Sequence, residues 1–415
     1  MIHSLRAFRH RNYRLMFCGQ SFAVLGNWIQ YLAMTWLVYR LSGSAWLLGV
    51  TGFASMVGIL VLAPFAGLWA DRVDRKKLLL ATQLAAMVPG FALAALAWTG
   101  TVEIWHVVVL SALFGVVMAI EVPVRQTFTP ALVPAREDLP SAIAFNALMQ
   151  NGGRMLGPTI AGVLIAASGE AICFFLNGAS KIAAVTTLMM IVVAPAAHST
   201  AGSSAWRSLK DGLAYTWNSV PLRGLLPVVA LVTFMASPYQ TLMPIFAAEV
   251  FAGGADTLGV LIGAAGLGGI AGMLVLASRK DVRGLMSWIA ASAAIAGATL
   301  IVFSYSKSFV LSLAMIGVVG LAALTVAMGV STIIQTIVED HMRGRVMGLF
   351  TVSFMGMFPL GSLAAGAIAE RVGPQHTLAA GGVACVLTGL WLWRKLPALR
   401  THIRPIYVRL GIINE

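Results

Sequence analysis

Two basic side chains, Arg154 and Lys181, stand inside long apolar stretches of this chain. Arg154 falls about twelve residues into one stretch and Lys181 about ten residues into the next. At about 1.5 Å per helical residue, that is about 18 Å and about 15 Å of depth, close to the middle of a bilayer. A cation there costs about 2.5–3.5 kcal/mol on insertion scales and requires a polar partner or a water-filled cavity. The nearest carboxylate, Glu121, lies toward the end of an earlier stretch, one turn before Arg125, and these two most simply satisfy each other. Two central cations without a central carboxylate suit an anionic or acidic small molecule. Arg154 would then be the fixed charge, and Lys181 the titratable one able to exchange a proton. A plainer reading gives Arg154 Asn, Gln or carbonyl partners and lets Lys181 snorkel along a cavity wall.

Asn146, Gln150, Arg154, Gly157 and Ala161 share one helical stripe by i, i+3/i+4 spacing, which is expected to face a cavity. Gly153-x-x-x-Gly157-Pro158 has the spacing of a membrane packing face and could equally bend during conformational change. The expected binding or coupling set is Arg154, Lys181, Glu121, Asn27, Gln150, Asn146 and Tyr239. Trp28, Tyr31, Trp36, Phe234, Met328, Met355 and Met357 would supply an aromatic, adaptable lining for a bulky ligand, although most such residues simply fill space between helices. His106 and His376 sit at the ends of apolar stretches, and Cys18, Cys173 and Cys385 show no paired spacing. No metal, cofactor or disulfide framework is expected. The glycines at 263, 266, 268, 269 and 272 lack nucleotide-loop spacing and read as packing, and no GxxxxGK[ST] loop is present.

The elements that must position these residues follow from composition. Of 415 residues, 59% are hydrophobic and 10% charged, with a mean hydropathy of +0.87. Soluble proteins carry about 25% charged residues, so an ordinary soluble enzyme, a disordered chain and a nucleic-acid reader are excluded. The net charge of +13 comes from short basic clusters between apolar runs. A membrane helix needs about 20 apolar residues. Such segments fall at about 15–39, 46–70, 77–98, 104–124, 142–168, 171–193, 225–248, 257–278, 285–304, 309–333, 346–370 and 375–393. The reading is an all-α membrane protein of twelve spans, the most polar being 142–168. With a cytoplasmic N-terminus, 23 of the 28 Lys and Arg residues fall on the inside, against Arg40, Lys307 and Arg371 outside. Both termini are then cytoplasmic. The divisions are a six-helix bundle over 1–193, a linker over 194–224, a second bundle over 225–394 and a basic tail over 395–415. Within the linker, Trp206, Leu209, Leu213 and Trp217 recur at helical spacing, as in a helix lying on the membrane surface.

The two halves repeat weakly. Leu156-Gly157-Pro158-Thr159-Ile160-Ala161-Gly162 aligns with Leu360-Gly361-Ser362-Leu363-Ala364-Ala365-Gly366, and Arg125-Gln126-Thr127 with Ile334-Gln335-Thr336. Asp71-Arg72-Val73 has a degenerate counterpart in Asp281-Val282-Arg283. Each match maps span n onto span n+6, so the repeats are parallel and imply a pseudo-twofold axis along the membrane normal.

Between the second and third spans runs Gly67-Leu68-Trp69-Ala70-Asp71-Arg72-Val73-Asp74-Arg75-Lys76-Lys77. It resembles the GxLADRxGRK loop signature of the major facilitator superfamily, with Asp74 in place of the second glycine. The opening RHRNYRLMFCGQSFAVLGNW, Pro123-Val124-Arg125-Gln126, Asn146 through Gly162 and Glu339 through Met347 are similar to the branch containing enterobactin and macrolide exporters. The resemblance implies a twelve-helix major facilitator fold and a non-enzymatic exporter in the plasma (inner) membrane. It implies a latch and gating set of Gly67, Asp71, Arg72, Arg75, Arg125, Gly157 and Pro158. Related exporters commonly carry an acid in span one where this chain has Asn27, which cannot hold a proton. Coupling would then fall to Glu121, Lys181 or Asp71, or be absent. The expected cargo is a bulky, anionic small molecule, siderophore-like or a drug, moved by a monomer with protons as co-substrate. An uncoupled facilitator or importer is the alternative, and a scramblase or membrane enzyme a distant third.

Overall fold

The computed structural model describes residues 3–72, 74–193, 205–279 and 282–409, apart from the side chains of 3, 4, 63–72, 136, 205–209 and 409. Among the described residues all regular structure is helical. Lipid offers backbone groups no hydrogen bonds, so apolar stretches close their own. In chain order come α1 (Arg11–Ser42), α2 (Ala45–Arg72), α3 (Arg75–Thr99), α4 (Ile104–Leu132), α5 (Leu139–Ser168) and α6 (Glu170–Met190). These are followed by α7 (Ala205–Asn218), α8 (Val220–Ala236), α9 (Tyr239–Ile245), α10 (Ala255–Ala277) and α11 (Leu285–Tyr305). The last are α12 (Phe309–Ile337), α13 (Asp340–Thr351), α14 (Met357–Val372) and α15 (Pro374–Arg409). A helix lies on every stretch that the sequence marks as apolar.

Among the described residues, ten segments are long and apolar enough to cross a membrane, Val220–Val250 and Asp340–Val372 among them, each assembled from shorter helices. Pro238 has no N–H to donate and ends α8. Five-residue π-turns follow α9 at Phe246–Val250 and α13 at Val352–Gly356. α1 and α5 do not meet the apolar criterion. They are 32 and 30 residues long, but carry Gln20, Asn27 and Gln30 or Asn146, Gln150, Asn151 and Arg154. α15 continues as helix to Arg409, through the residues read from sequence as a tail.

Two compact units emerge: Met1–Ala201 with Ala247–Gly263, and Gly202–Phe246 with Ala264–Glu415. In the first, α2 packs on α4, α3 on α6, and α1 on both α5 and α6. In the second, α11 packs on α12 and α15, and α8 on α14 and α15. Small residues set the crossings. A Cβ on Gly58 would strike Gly115 (α2–α4), and one on Gly90 would strike Gly178 (α3–α6). Comparable contacts recur in the second unit, as Gly268 against Gly317 (α10–α12) and Gly297 against Gly382 (α11–α15). Close backbone approach through paired glycines is the usual means of packing helices in lipid. α7 packs on α13, where Arg345 pairs with Asp211 at 3.3 Å. Its Leu213 and Trp217 remain exposed.

Candidate functional site

Lys181 lies in α6 and is wholly buried, with no exposed surface. Its Nζ donates to Asn27 Oδ1 at 2.5 Å and to the Ala23 carbonyl at 3.4 Å, both on α1. Gly26 brings α1 this close, since a Cβ there would strike Ser180 and Asn177. Asn27 turns its Nδ2 toward Met118 Sδ of α4 at 3.6 Å. One turn away, Asn177 Nδ2 donates to Gln30 Oε1 at 2.6 Å, with both residues buried. Asn27 and Gln30 on α1 thus meet Lys181 and Asn177 on α6, with the buried Gln20 two turns before Asn27 on the same helix. Expected at the wall of a watery vestibule, the Lys181 ammonium is enclosed between helices in this structure, and its ligands are neutral oxygens. Gln20, Gln30 and Asn177 were not foreseen. Gln20, Asn27 and Gln30 stand seven and three residues apart on α1, and Asn177 and Lys181 four apart on α6, and that helical spacing is the signal that marks them.

Arg154 differs. It is half-buried, and its guanidinium lies over the Trp28 ring, 5.8 Å from the centroid. No carboxylate pairs with it among the described residues. Gly153 and Gly157 place it there by packing on Val24 and Trp28 of α1. Their aligned counterpart Gly361 packs the same way, against Phe234 of α8. On the other side of α5, Gly259 fits against the Pro158 carbonyl and Gly162 against Ala255. The glycine-proline element is therefore a packing surface toward both α1 and the first turns of α10.

Glu121 and Arg125 approach as the sequence suggested, but loosely, with Oε1 4.0 Å from Nε. Glu121 is buried and its Oε2 has no partner among the described residues. Gln150, once its amide is oriented by hydrogen bonding, turns its oxygen to both terminal nitrogens of Arg125. Gln150 therefore serves Arg125 instead of facing a ligand. Asn146 is likewise engaged, accepting from Tyr13 Oη at 3.4 Å and donating to Thr129 Oγ1 at 3.1 Å. Tyr239 is 2% exposed and its hydroxyl takes a hydrogen from Gln240 at 3.2 Å. Each of these three side chains thus has a hydrogen-bond partner in the neighbouring protein.

Of the latch residues, Gly67, Asp71 and Arg72 fall on the last turns of α2, where side-chain surroundings lie outside the described residues, as does Val73. Arg75 Nη1 donates to the Thr127 carbonyl of α4 at 3.3 Å. Lys76 Nζ reaches the Ile191 carbonyl at 2.6 Å, beyond the end of α6. Asp74 occupies the position of the signature's second glycine without a left-handed turn (φ −55). Its side chain accepts from the backbone N–H of Lys76 at 2.9 Å and of Lys77 at 3.2 Å. That is an N-cap on α3.

Residues 2–404 match the family model described as "Transmembrane secretion effector". The chain is 26% identical to the staphyloferrin A transporter of Staphylococcus aureus, over 89% of this chain and 93% of that one. It is 28% identical to the multidrug efflux pump Tap of Mycobacterium tuberculosis, over 91% of each. It is 22% identical to macrolide efflux protein A of Streptococcus pyogenes, over 89% of this chain and 93% of that one. Among solved structures, the nucleoside transporter NupG shares the fold with a TM-score of 0.74 at 14% identity, covering 95% of this chain and 99% of that one.

Proposed function

Because the chain belongs to the transmembrane secretion effectors of the major facilitator superfamily, a family of small-molecule exporters and not of enzymes, we propose that it expels a bulky, anionic amphiphile in exchange for protons. Twelve spans carry the cycle. α1 and α5 complete the set, their polar faces turned inward where a polar side chain is tolerated. The halves 1–193 and 225–394 rock about a midplane site. The protein works as a monomer in the plasma (inner) membrane, with both termini in the cytoplasm as the basic-residue distribution favours.

One observation carries the reading: the N-terminal unit holds two cations of different availability. Arg154 is partly exposed and pairs with an aromatic face instead of a carboxylate. It is the fixed charge that meets an acidic group on the cargo, while Trp28 offers the apolar body a surface. Lys181 is enclosed and touches only neutral oxygens. As an ammonium it donates to Asn27 and Ala23, and as an amine it offers a lone pair that the Asn27 amide can meet. Proton exchange therefore changes what Asn27 must do, and Asn27 directly precedes Trp28 on α1. That adjacency couples the proton to the cargo. Glu121, with one oxygen unpartnered, carries the proton in series with Lys181, so that losing Lys181 breaks the relay.

The relatives' siderophore, drug and macrolide cargoes suggest a siderophore-like or drug-like acid. The test compares spent medium from cells with and without the gene, then measures transport of the differing compounds in proteoliposomes with and without a pH gradient. An acidic compound that needs both the gene and the gradient supports the proposal. A neutral or cationic cargo contradicts its anionic part. Gradient-independent flux would favour the second reading, an uncoupled facilitator, which Asn27 in place of an acid favours.

A further inference from the structure

Where α15 passes the start of α11, the second unit contains an open cavity of about 410 Å³. Its floor is apolar, from Leu285 on α11 and Ile403 and Tyr407 on α15, all buried. Its rim is basic, from Arg283, Arg400 and Arg404, all exposed. Arg400 donates to Ser287 Oγ at 2.7 Å, which ties the rim to α11 and leaves further donors on its guanidinium. Neither Arg400 nor Arg404 pairs with a carboxylate among the described residues. Nearby Arg279 is occupied, donating to the Arg283 carbonyl and lying 5.0 Å from the Trp288 ring centroid. Asp281 lies outside the described residues.

We infer that this cavity holds the phosphate head of an anionic phospholipid. Guanidinium groups match phosphate oxygens in a two-pronged geometry. A free inorganic phosphate would use the arginines and leave the floor wetted. A phosphatidylglycerol molecule uses both surfaces, its phosphate between Arg400 and Arg404 and its glycerol and first methylenes over Leu285, Ile403 and Tyr407. Trp288, Trp391 and Trp393 are exposed within a few turns of the cavity, and exposed tryptophans mark the headgroup level of a bilayer. The cavity therefore sits where a lipid head would be. This assignment rests on the orientation that turns the basic end of α15 to the cytoplasmic leaflet, where anionic lipids attract polybasic segments. It is independent of cargo and proton.

Native mass spectrometry of the full-length protein in detergent tests it, with phosphatidylglycerol and phosphatidylcholine as probes. The wild type should retain phosphatidylglycerol in preference to phosphatidylcholine. Arg400→Ala with Arg404→Ala should lower phosphatidylglycerol affinity roughly 30-fold, at about fivefold per arginine, with phosphatidylcholine unchanged. Both positions are exposed, and a melting temperature in lipid-free detergent checks that the fold is kept. Wild-type affinity in the double variant would overturn the inference. So would displacement of phosphatidylglycerol by excess inorganic phosphate alone, which would mark a free-anion site.

Discussion

Lys181 Nζ lies 2.5 Å from Asn27 Oδ1, and this bond joins the wholly buried Lys181 of α6 to the half-buried Asn27 of α1. This buried ammonium is held directly by an amide instead of a carboxylate, so its nearest ligand is neutral. Removing the amide should therefore matter as much as removing the lysine. Asn27→Leu should lower transport about tenfold or more, the equivalent of about 1.4 kcal/mol in the barrier, whereas Asn27→Gln should retain part of it. Initial rates in proteoliposomes check both.

Asn27→Asp places a carboxylate beside the ammonium. A charge-assisted bond is about twice as strong as a neutral one. The variant should melt higher in detergent and turn over more slowly, because the proton on Lys181 is held. A faster exporter with an unchanged melting temperature would contradict the role assigned to Lys181.

Arg154→Ala should raise KM for an acidic cargo with little change in kcat. Arg154→Lys should recover less than full affinity, since the planar guanidinium over Trp28 is lost. The expected loss is on the order of tenfold, at the upper range of a partly desolvated cation–aromatic contact. An identical KM for the ester of the same cargo in wild type and variant would confirm that the lost interaction is with the acid.

Asp74 makes a claim about stability alone. Asp74→Ala removes the cap of α3 and should cost about 0.5–2 kcal/mol, whereas Asp74→Gly should cost only a few tenths. Melting temperatures in detergent should fall in that order. Gly157→Leu should do more harm, about 1–3 kcal/mol from overpacking against Trp28, with transport lost alongside.

Much of the architecture was legible because lipid imposes a simple rule on apolar length, and each apolar stretch became a helix. The weak repeat was legible at Gly157 and Gly361, which pack on α1 and α8 in the same way. The stretch 142–168 is helical throughout, within α5, although its polar residues keep that helix from being apolar enough to count as a span by composition. What a single stripe could not reveal was which neighbour each polar side chain meets. Asn146 and Gln150 share the face of Arg154, yet Tyr13, Thr129 and Arg125 occupy them first. Lys181 looked like a wall residue because its partners are neutral groups on a distant segment, and charge counting does not register an asparagine. Asp74 looked like a defect in a turn motif, because capping and turning use the same position.

The most direct measurement is proton-coupled transport by wild type and Lys181→Met, reconstituted in proteoliposomes and followed with and without an imposed pH gradient. Methionine keeps the volume and removes the exchangeable proton. The account predicts that the gradient accelerates wild-type export and leaves the variant's residual flux unchanged. A Lys181→Met protein whose flux still rises with the gradient as the wild type's does would contradict it.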